Sequence, residues 1–230
     1  MNTAVLILAA GPASRGWTEE NPKQLAIIEG KPLIVRTLDQ LKERGYDDNV
    51  MVVTRSKVIQ AIVPRYFEPA VNIWRSQTIL SAQELWADRT VIIHGDTIFS
   101  DAAMDFIVAE QGPLALISVG DKVHTEAWVF TKEVRGHVIE SLKVAGQVAI
   151  KENTAPLSKR RKFLNGYHQA VVRMHWAFYR ALSGLPIENL DSRVFNPDIH
   201  RVLKSDYTCD LDSPGYYVKF IKRHKWARGN

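Results

Sequence analysis

The chain has 230 residues, 46% hydrophobic and 24% charged, with a formal net charge of +5 and a pI near 9.3. That length suits one α/β domain with a full core, and the moderate basicity suits anionic ligands such as nucleotides and phosphates. The single cysteine, Cys209, excludes an internal disulfide and a cysteine-built metal cage. No run approaches the length of a membrane span. The first apolar run is too short for a signal peptide and lacks its basic flank, so a cytoplasmic protein with no membrane partner is expected.

Ala4-Val5-Leu6-Ile7-Leu8 is a short apolar run stopped by Ala9-Ala10-Gly11. It reads as a buried parallel strand that ends in a tight loop. The loop continues through the small residue Ala13 to Arg15, and Lys23 follows Pro22 further on. Small residues let a ligand touch the backbone, whose amides can cup an anion. Two cations beside such a loop suit a polyphosphate, although a surface loop with two solvated charges fits the same residues.

Pro32 to Arg44 reads as a helix with Ile34, Leu38 and Leu41 on one face and Gly45 as its C-terminal cap. Val50–Val53 is the next buried strand, Ser56–Tyr66 a second helix and Val71–Trp74 a short strand. Ser76 can cap a helix running to Asp88, and Val91–Ile93 is an apolar strand ending at His94-Gly95-Asp96. Ser100 caps a further helix, and Leu114–Val119 is a strand. This alternation predicts an α/β fold with a doubly wound, mostly parallel, Rossmann-like mixed sheet flanked by helices, binding ligands at the carboxyl ends of its strands. The second half changes character. Ala127–Thr131, Val138–Val144, Gln147–Ile150 and Gln169–Met174 read as strands of a smaller antiparallel part, the last leading into a helix near Phe178 and Leu182. With no linker between the halves, residues 1–230 are expected to form a single domain.

Gly11-x-x-x-Arg15, Pro22-Lys23 and Gly30-Lys31-Pro32-Leu33 together resemble the opening of the nucleotidyltransferases of the glycosyltransferase-A-like fold. That superfamily includes sugar-phosphate nucleotidylyltransferases, cytidylyltransferases and molybdenum-cofactor nucleotidylyltransferases. Ala13 departs from the pattern, standing where a second glycine is usual. The resemblance implies a nucleotide-binding half over about residues 1–120 and an acceptor-binding half over about 121–230. It also implies a nucleotide site over Ala9, Ala10, Gly11, Ala13, Arg15, Lys23 and Gly95, and a metal-binding Asp96 at the end of its strand. His94 stands where the family often has Asp, and reads as a hydrogen-bonding residue rather than a ligand. Thr208-Cys209-Asp210-Leu211-Asp212-Ser213-Pro214 resembles a late family element that supplies the second metal carboxylate. Asp212 is the first choice and Asp210 the reserve, while a plain helix cap at Asp212 or Ser213 explains the same residues. Trp74-Arg75-Ser76-Gln77-Thr78 lies where related cytidylyltransferases contact base and ribose. Gln77 could read a base edge and Arg75 meet phosphate, or the stretch is only a helix cap with exposed polar groups. Glu152, Asn165 and Gly166 fall in segments loosely resembling sugar-binding elements, which turn residues also explain.

The chemistry implied is attack on the α-phosphorus of an NTP by a phosphorylated small-molecule acceptor, most simply a sugar phosphate, with release of pyrophosphate. Mg²⁺ between two carboxylates would neutralise charge. Arg15 would hold the leaving pyrophosphate, and Lys23 the α-phosphate. No general base is needed, because the nucleophile is already a phosphate oxygen. A glycosyltransferase using a nucleotide-sugar, or a non-catalytic nucleotide- or RNA-binding module, are the alternatives. The first lacks the expected Asp-x-Asp, the second leaves the carboxylates without a role, and no specific nucleic acid partner is expected. The basic run within Thr154–Leu164 is either a solvated loop or a lid that meets phosphate. Which base, which acceptor, and whether the chain forms a homo-oligomer stay open.

Overall fold

The computed structural model describes residues 1–11, 16–71, 73–119, 125–154, 166–187, 196–204, 206–211 and 213–224. Its strands are β1 (Thr3–Leu8), β2 (Ile27–Ile28), β3 (Lys31–Pro32), β4 (Val50–Val53), β5 (Tyr66–Phe67), β6 (Arg89–His94), β7 (Thr97–Ile98), β8 (Leu114–Val119), β9 (Thr125–Thr131), β10 (His200–Leu203) and β11 (Cys209–Asp210). Its α-helices are α1 (Leu33–Glu43), α2 (Lys57–Gln60), α3 (Arg75–Ser81), α4 (Asp101–Ala109), α5 (Arg135–Thr154), α6 (Gly166–Leu182) and α7 (Pro214–His224).

Seven strands form one sheet in the order β10-β8-β9-β6-β1-β4-β5. Every pairing is parallel except those of β9, which runs antiparallel to both neighbours. The mostly parallel mixed sheet flanked by helices is therefore present. β1, β6 and β8 are buried along almost their whole length, as continuous apolar runs covered on both faces should be. Two apolar layers result. One, over Val5, Ile7, Val52, Ile93, Ile117 and Val129, is covered by α1 and α4. The other, over Leu6, Leu8, Ile92, Leu116 and Trp128, is covered by α3, α5 and α6.

The antiparallel part expected beyond β9 is replaced by helices. Residues 138–144 and 147–150 lie in α5, and 169–174 in α6, and the two helices pack on each other. The β-branched residues and two glycines of α5 suggest strands. Yet Val138, Leu142, Ala145 and Ala149 recur at helical spacing, and all four are buried against the sheet. Tertiary burial of that stripe outweighs local strand propensity. Of the expected strand at 71–74, the described residues 71, 73 and 74 are not in a strand. Tyr66–Phe67 takes the edge position beside Val52 and Val53, while Trp74 is the N-cap of α3. The expected helix over 56–66 shrinks to α2, with Pro64 beyond its end.

Among the described residues, Arg89 is the largest fully buried side chain, and it ties β6 to the end of α4. Its Nε and Nη2 donate to the Glu110 carbonyl at 3.0 and 2.7 Å, and Nη2 donates to the Val108 carbonyl at 2.9 Å. These donors serve carbonyls that the last turn leaves without helical partners. Arg89→Met should destabilise the protein by about 3 kcal/mol, since buried acceptors lose charge-assisted partners. Urea unfolding would measure this, and a loss of under about 1 kcal/mol would contradict the capping role.

Candidate active site

The register aligns Leu8 with both Val53 and His94, so the carboxyl ends of β1, β4 and β6 open at one edge. There Ala9 N–H donates to the Val53 carbonyl at 2.9 Å, and Thr54 Oγ1 donates to the Ala9 carbonyl at 3.0 Å. Ala9 and Ala10 are buried, and Gly11 emerges into open space. Gly95 N–H donates to the Leu8 carbonyl at 2.9 Å. A Cβ on Gly95 would stand 2.9 Å from that same carbonyl oxygen, so the close crossing that turns the chain toward Asp96 requires glycine.

Directly after Asp96, β7 pairs antiparallel with β11, setting Thr97 opposite Asp210, and Leu211 N–H donates to the Asp96 carbonyl at 2.9 Å. A third, small core of Ala26, Ile28, Leu33, Ile98, Cys209, Leu211 and Phe220 fixes this pairing to α7 and to the β2–β3 hairpin. The hairpin turns through Glu29 and Gly30, both at positive φ (52° and 77°), as a two-residue turn of this kind demands. Lys23 lies on the short helical turn that enters this hairpin. One apolar cluster therefore carries both the Lys23 segment and the Asp210 segment to the end of β6.

Side chains from three distant segments meet there. Lys23 Nζ forms an ion pair with Asp96 Oδ2. Ligand atoms of His94, Asp96 and Asp210 all lie within 4.8 Å of one another. Burial works to raise the Asp96 carboxyl, but the charge of Lys23, with that of Arg75, outweighs it and holds the group well below the usual carboxylate range. Asp210 is pushed the other way, first by burial and then by the negative charge of Asp96. Two carboxylates so placed fit a divalent cation: hard oxygen donors in a half-buried corner, in need of more positive charge than Lys23 supplies. The imidazole is engaged elsewhere. Arg75 Nη1 lies 3.1 Å from His94 Nε2, and because a guanidinium can only donate, Nε2 must be the acceptor. His94 therefore orients Arg75.

Gln77 lies on α3 beside Arg75, and its Oε1 is shielded from solvent without a hydrogen-bond partner among the described residues. Arg75 also lines a shallow apolar recess whose walls include Trp128, Leu142 and Phe178. Glu152 does not join this group: it accepts an ion pair from Arg173 Nε at 2.9 Å, tying α5 to α6. Gly166 begins α6. Ala13, Arg15, Asn165, Asp212 and the basic residues 159–162 lie outside the described residues.

Two residues absent from the sequence reading stand behind the carboxylates. Thr97 and Glu126 are fully buried, and Thr97 Oγ1 lies 2.7 Å from Asp210 Oδ1 and 3.2 Å from Glu126 Oε2. A signal for Glu126 was present in the sequence, since it is a charge abutting the apolar run that becomes β9.

In an open α/β sheet, the carboxyl ends of the strands, here lined by small residues and an acidic corner, are where ligands bind. The chain belongs to the MobA-like NTP transferase domain family, whose model matches residues 5–164. It is 26% identical over 124 residues to the bifunctional protein GlmU of Methanococcus maripaludis, a match covering 50% of this chain and 29% of that protein. The chain thus spans under a third of the length of that curated relative. In fold it is similar to the CTP:phosphocholine cytidylyltransferase of Streptococcus pneumoniae, with TM-score 0.57, 15% identity, and 97% and 100% of the two chains covered. It is likewise similar to a putative glucose-1-phosphate thymidylyltransferase of Bacillus anthracis, with TM-score 0.56, 12% identity, and 100% and 98% covered. Among the described residues, no helix is long and apolar enough to cross a membrane.

Proposed function

We propose that the chain is a Mg²⁺-dependent nucleotidyltransferase that joins an NTP to a small phosphorylated acceptor and releases pyrophosphate. The observation that carries this reading is the convergence of Lys23, Asp96 and Asp210 from three separate segments at the carboxyl ends of the parallel strands. A polyphosphate and an anionic acceptor cannot approach each other unless their charge is met, and one ammonium against two carboxylates does not meet it. Asp96 and Asp210 would hold the cation, which would supply the missing positive charge to both substrates. Asp210 is taken here as the second carboxylate because it is the described one beside Asp96, while Asp212 lies outside the described residues.

Lys23 would present its ammonium to the α-phosphate, where charge shifts during displacement. Arg15 would hold the β- and γ-phosphates, and Ala9, Ala10, Gly11 and Ala13 would let the triphosphate lie close to backbone. Gln77, with an unspent buried oxygen, suits the edge of a base. Arg75, held by His94 and lining the recess, suits the acceptor phosphate. The names of the related proteins span cytidylyl and thymidylyl transfer and both choline and sugar acceptors, so they support the class without choosing a base. A sugar phosphate is the acceptor we favour, in one domain whose two halves divide near residue 120, in a cytoplasmic setting.

The test is a pyrophosphate-release screen of the four NTPs against a panel of phosphorylated acceptors, with and without EDTA. Release should require one NTP, one acceptor class and the divalent cation together. No release with any pair, or release unaffected by EDTA, would contradict the reading.

A further inference from the structure

Arg36 lies on α1 and is buried, 7% exposed. A guanidinium buried that far is costly unless its donors are met. They are met by the segments that carry the three residues of the corner. Arg36 Nε donates to Glu29 Oε2 at 2.6 Å, in the hairpin that follows Lys23. Nη1 donates to the Phe99 carbonyl at 2.7 Å, three residues beyond Asp96. The guanidinium also donates to the Tyr207 hydroxyl, three residues before Asp210.

The neighbouring contacts point the same way. One turn further along α1, Gln40 Nε2 donates to Asp101 Oδ1 at 2.9 Å and lies 3.3 Å from the same Phe99 carbonyl. Ser100 N–H donates to Thr208 Oγ1 at 2.9 Å, and the Ser100 hydroxyl donates to Asp206 Oδ2. Asp206 Oδ1 in turn accepts from Thr208 N–H at 2.7 Å. The stretch after Asp96 and the stretch before Asp210 are thus bonded to each other as well as to α1. The third apolar core brings the same segments together, but apolar packing is non-directional and sets no bearing between them. A guanidinium does. It is planar, with its N–H donors in a rigid fork, so the partners it holds are fixed in direction relative to one another.

We propose that Arg36 is a positioning residue for the whole corner: from one planar group it sets the bearings of the segments that carry Lys23, Asp96 and Asp210. This rests on the proposed role of those three residues, through which Arg36 acts. Its charge alone does not suffice. A lysine ammonium in its place is a compact charge on a flexible stem and cannot hold three segments in fixed directions.

The test is calorimetric titration of the full chain with Mn²⁺ alone, set beside thermal unfolding. Wild type should bind Mn²⁺ at one site. Arg36→Lys, which keeps the charge and loses the fork, should weaken binding by about 10- to 100-fold, the range for residues that orient metal ligands. With NTP and acceptor its kcat should fall by about 10²-fold, as when reacting groups are displaced by about 1 Å. Tyr207→Phe should weaken Mn²⁺ binding less, and adding it to Arg36→Lys should cost no further affinity, because both break one set of contacts. Arg89→Met is the control. Arg89 is also a buried arginine, but it sits at the opposite end of β6 from Asp96. Its loss should lower the unfolding temperature yet leave Mn²⁺ affinity within about twofold of wild type. Wild-type affinity in Arg36→Lys, or an Arg89→Met loss as large as that of Arg36→Lys, would overturn the inference while leaving the metal site standing. Should Arg36→Lys not fold, Tyr207→Phe decides, and wild-type affinity in that variant would overturn the inference. Absence of Mn²⁺ binding in the wild type would overturn the metal site itself, and this inference with it.

Discussion

Asp96→Asn is expected to lower kcat by about 10³-fold, equivalent to about 4 kcal/mol of lost transition-state stabilisation. The substitution keeps size and removes one negative charge from the corner where the carboxylates of Asp96 and Asp210 lie within 4.8 Å of each other. A divalent cation held there would then have a single carboxylate, that of Asp210. Asp210→Asn should behave similarly. In both variants raising the Mg²⁺ concentration should restore part of the rate, because weakened cation binding is part of the defect. Steady-state kinetics across a Mg²⁺ series would check this. Near-normal kcat in Asp96→Asn at ordinary Mg²⁺ would remove Asp96 from the mechanism.

Lys23→Ala should lower kcat by roughly 10²-fold or more, about 3 kcal/mol, with a much smaller rise in the KM for NTP. Lys23 is three-quarters buried and in contact with Asp96, so it belongs to the reacting corner rather than to the solvent surface. Its ammonium is a compact charge on a flexible stem, able to follow an α-phosphate oxygen as charge builds there. Ground-state binding keeps its other contacts, the backbone at the end of β1 and the cation. Lys23→Arg should recover little, because a planar guanidinium is wider and cannot take the same position against Asp96. If Lys23→Ala instead raised KM for NTP tenfold with kcat unchanged, Lys23 would be a binding residue only.

Most elements of the first 120 residues were legible because their residues obey one rule at a time. Val5 to Leu8 and Val91 to Ile93 are apolar runs stopped by small residues, and they form strands at the expected places. Ser100 accepts from the Ala103 N–H at 2.9 Å, as its position before an apolar helical stripe implies. The second half resisted because local and tertiary preferences conflict. Val138, Ile139, Val144 and Val148 carry strand propensity, but their neighbours Leu142, Ala145 and Ala149 complete a stripe that only a helix can bury. The edge strand Tyr66–Phe67 has no such run to announce it and exists only because β4 offers it a partner.

The site divides along the same line. Lys23, Asp96 and Asp210 were readable as chemistry, but nothing in a linear sequence sets Asp210 beside Asp96 across 114 positions. That placement depends on two short strands, β7 and β11, and on Leu211, Ile98 and Phe220 packing beneath them. The pair of Arg75 and His94 and the Glu126–Thr97 contact were invisible for the same reason. Each joins residues whose separation is bridged by the sheet rather than by local spacing.

The most direct measurement follows the phosphorus atoms through one turnover. With the NTP labelled at its α-phosphorus, a phosphorylated acceptor and Mg²⁺, the label should appear in a nucleoside diphosphate-linked acceptor, with one unlabelled pyrophosphate released per product. Label left in free nucleoside monophosphate, or release of inorganic phosphate in place of pyrophosphate, would contradict nucleotidyl transfer to the acceptor.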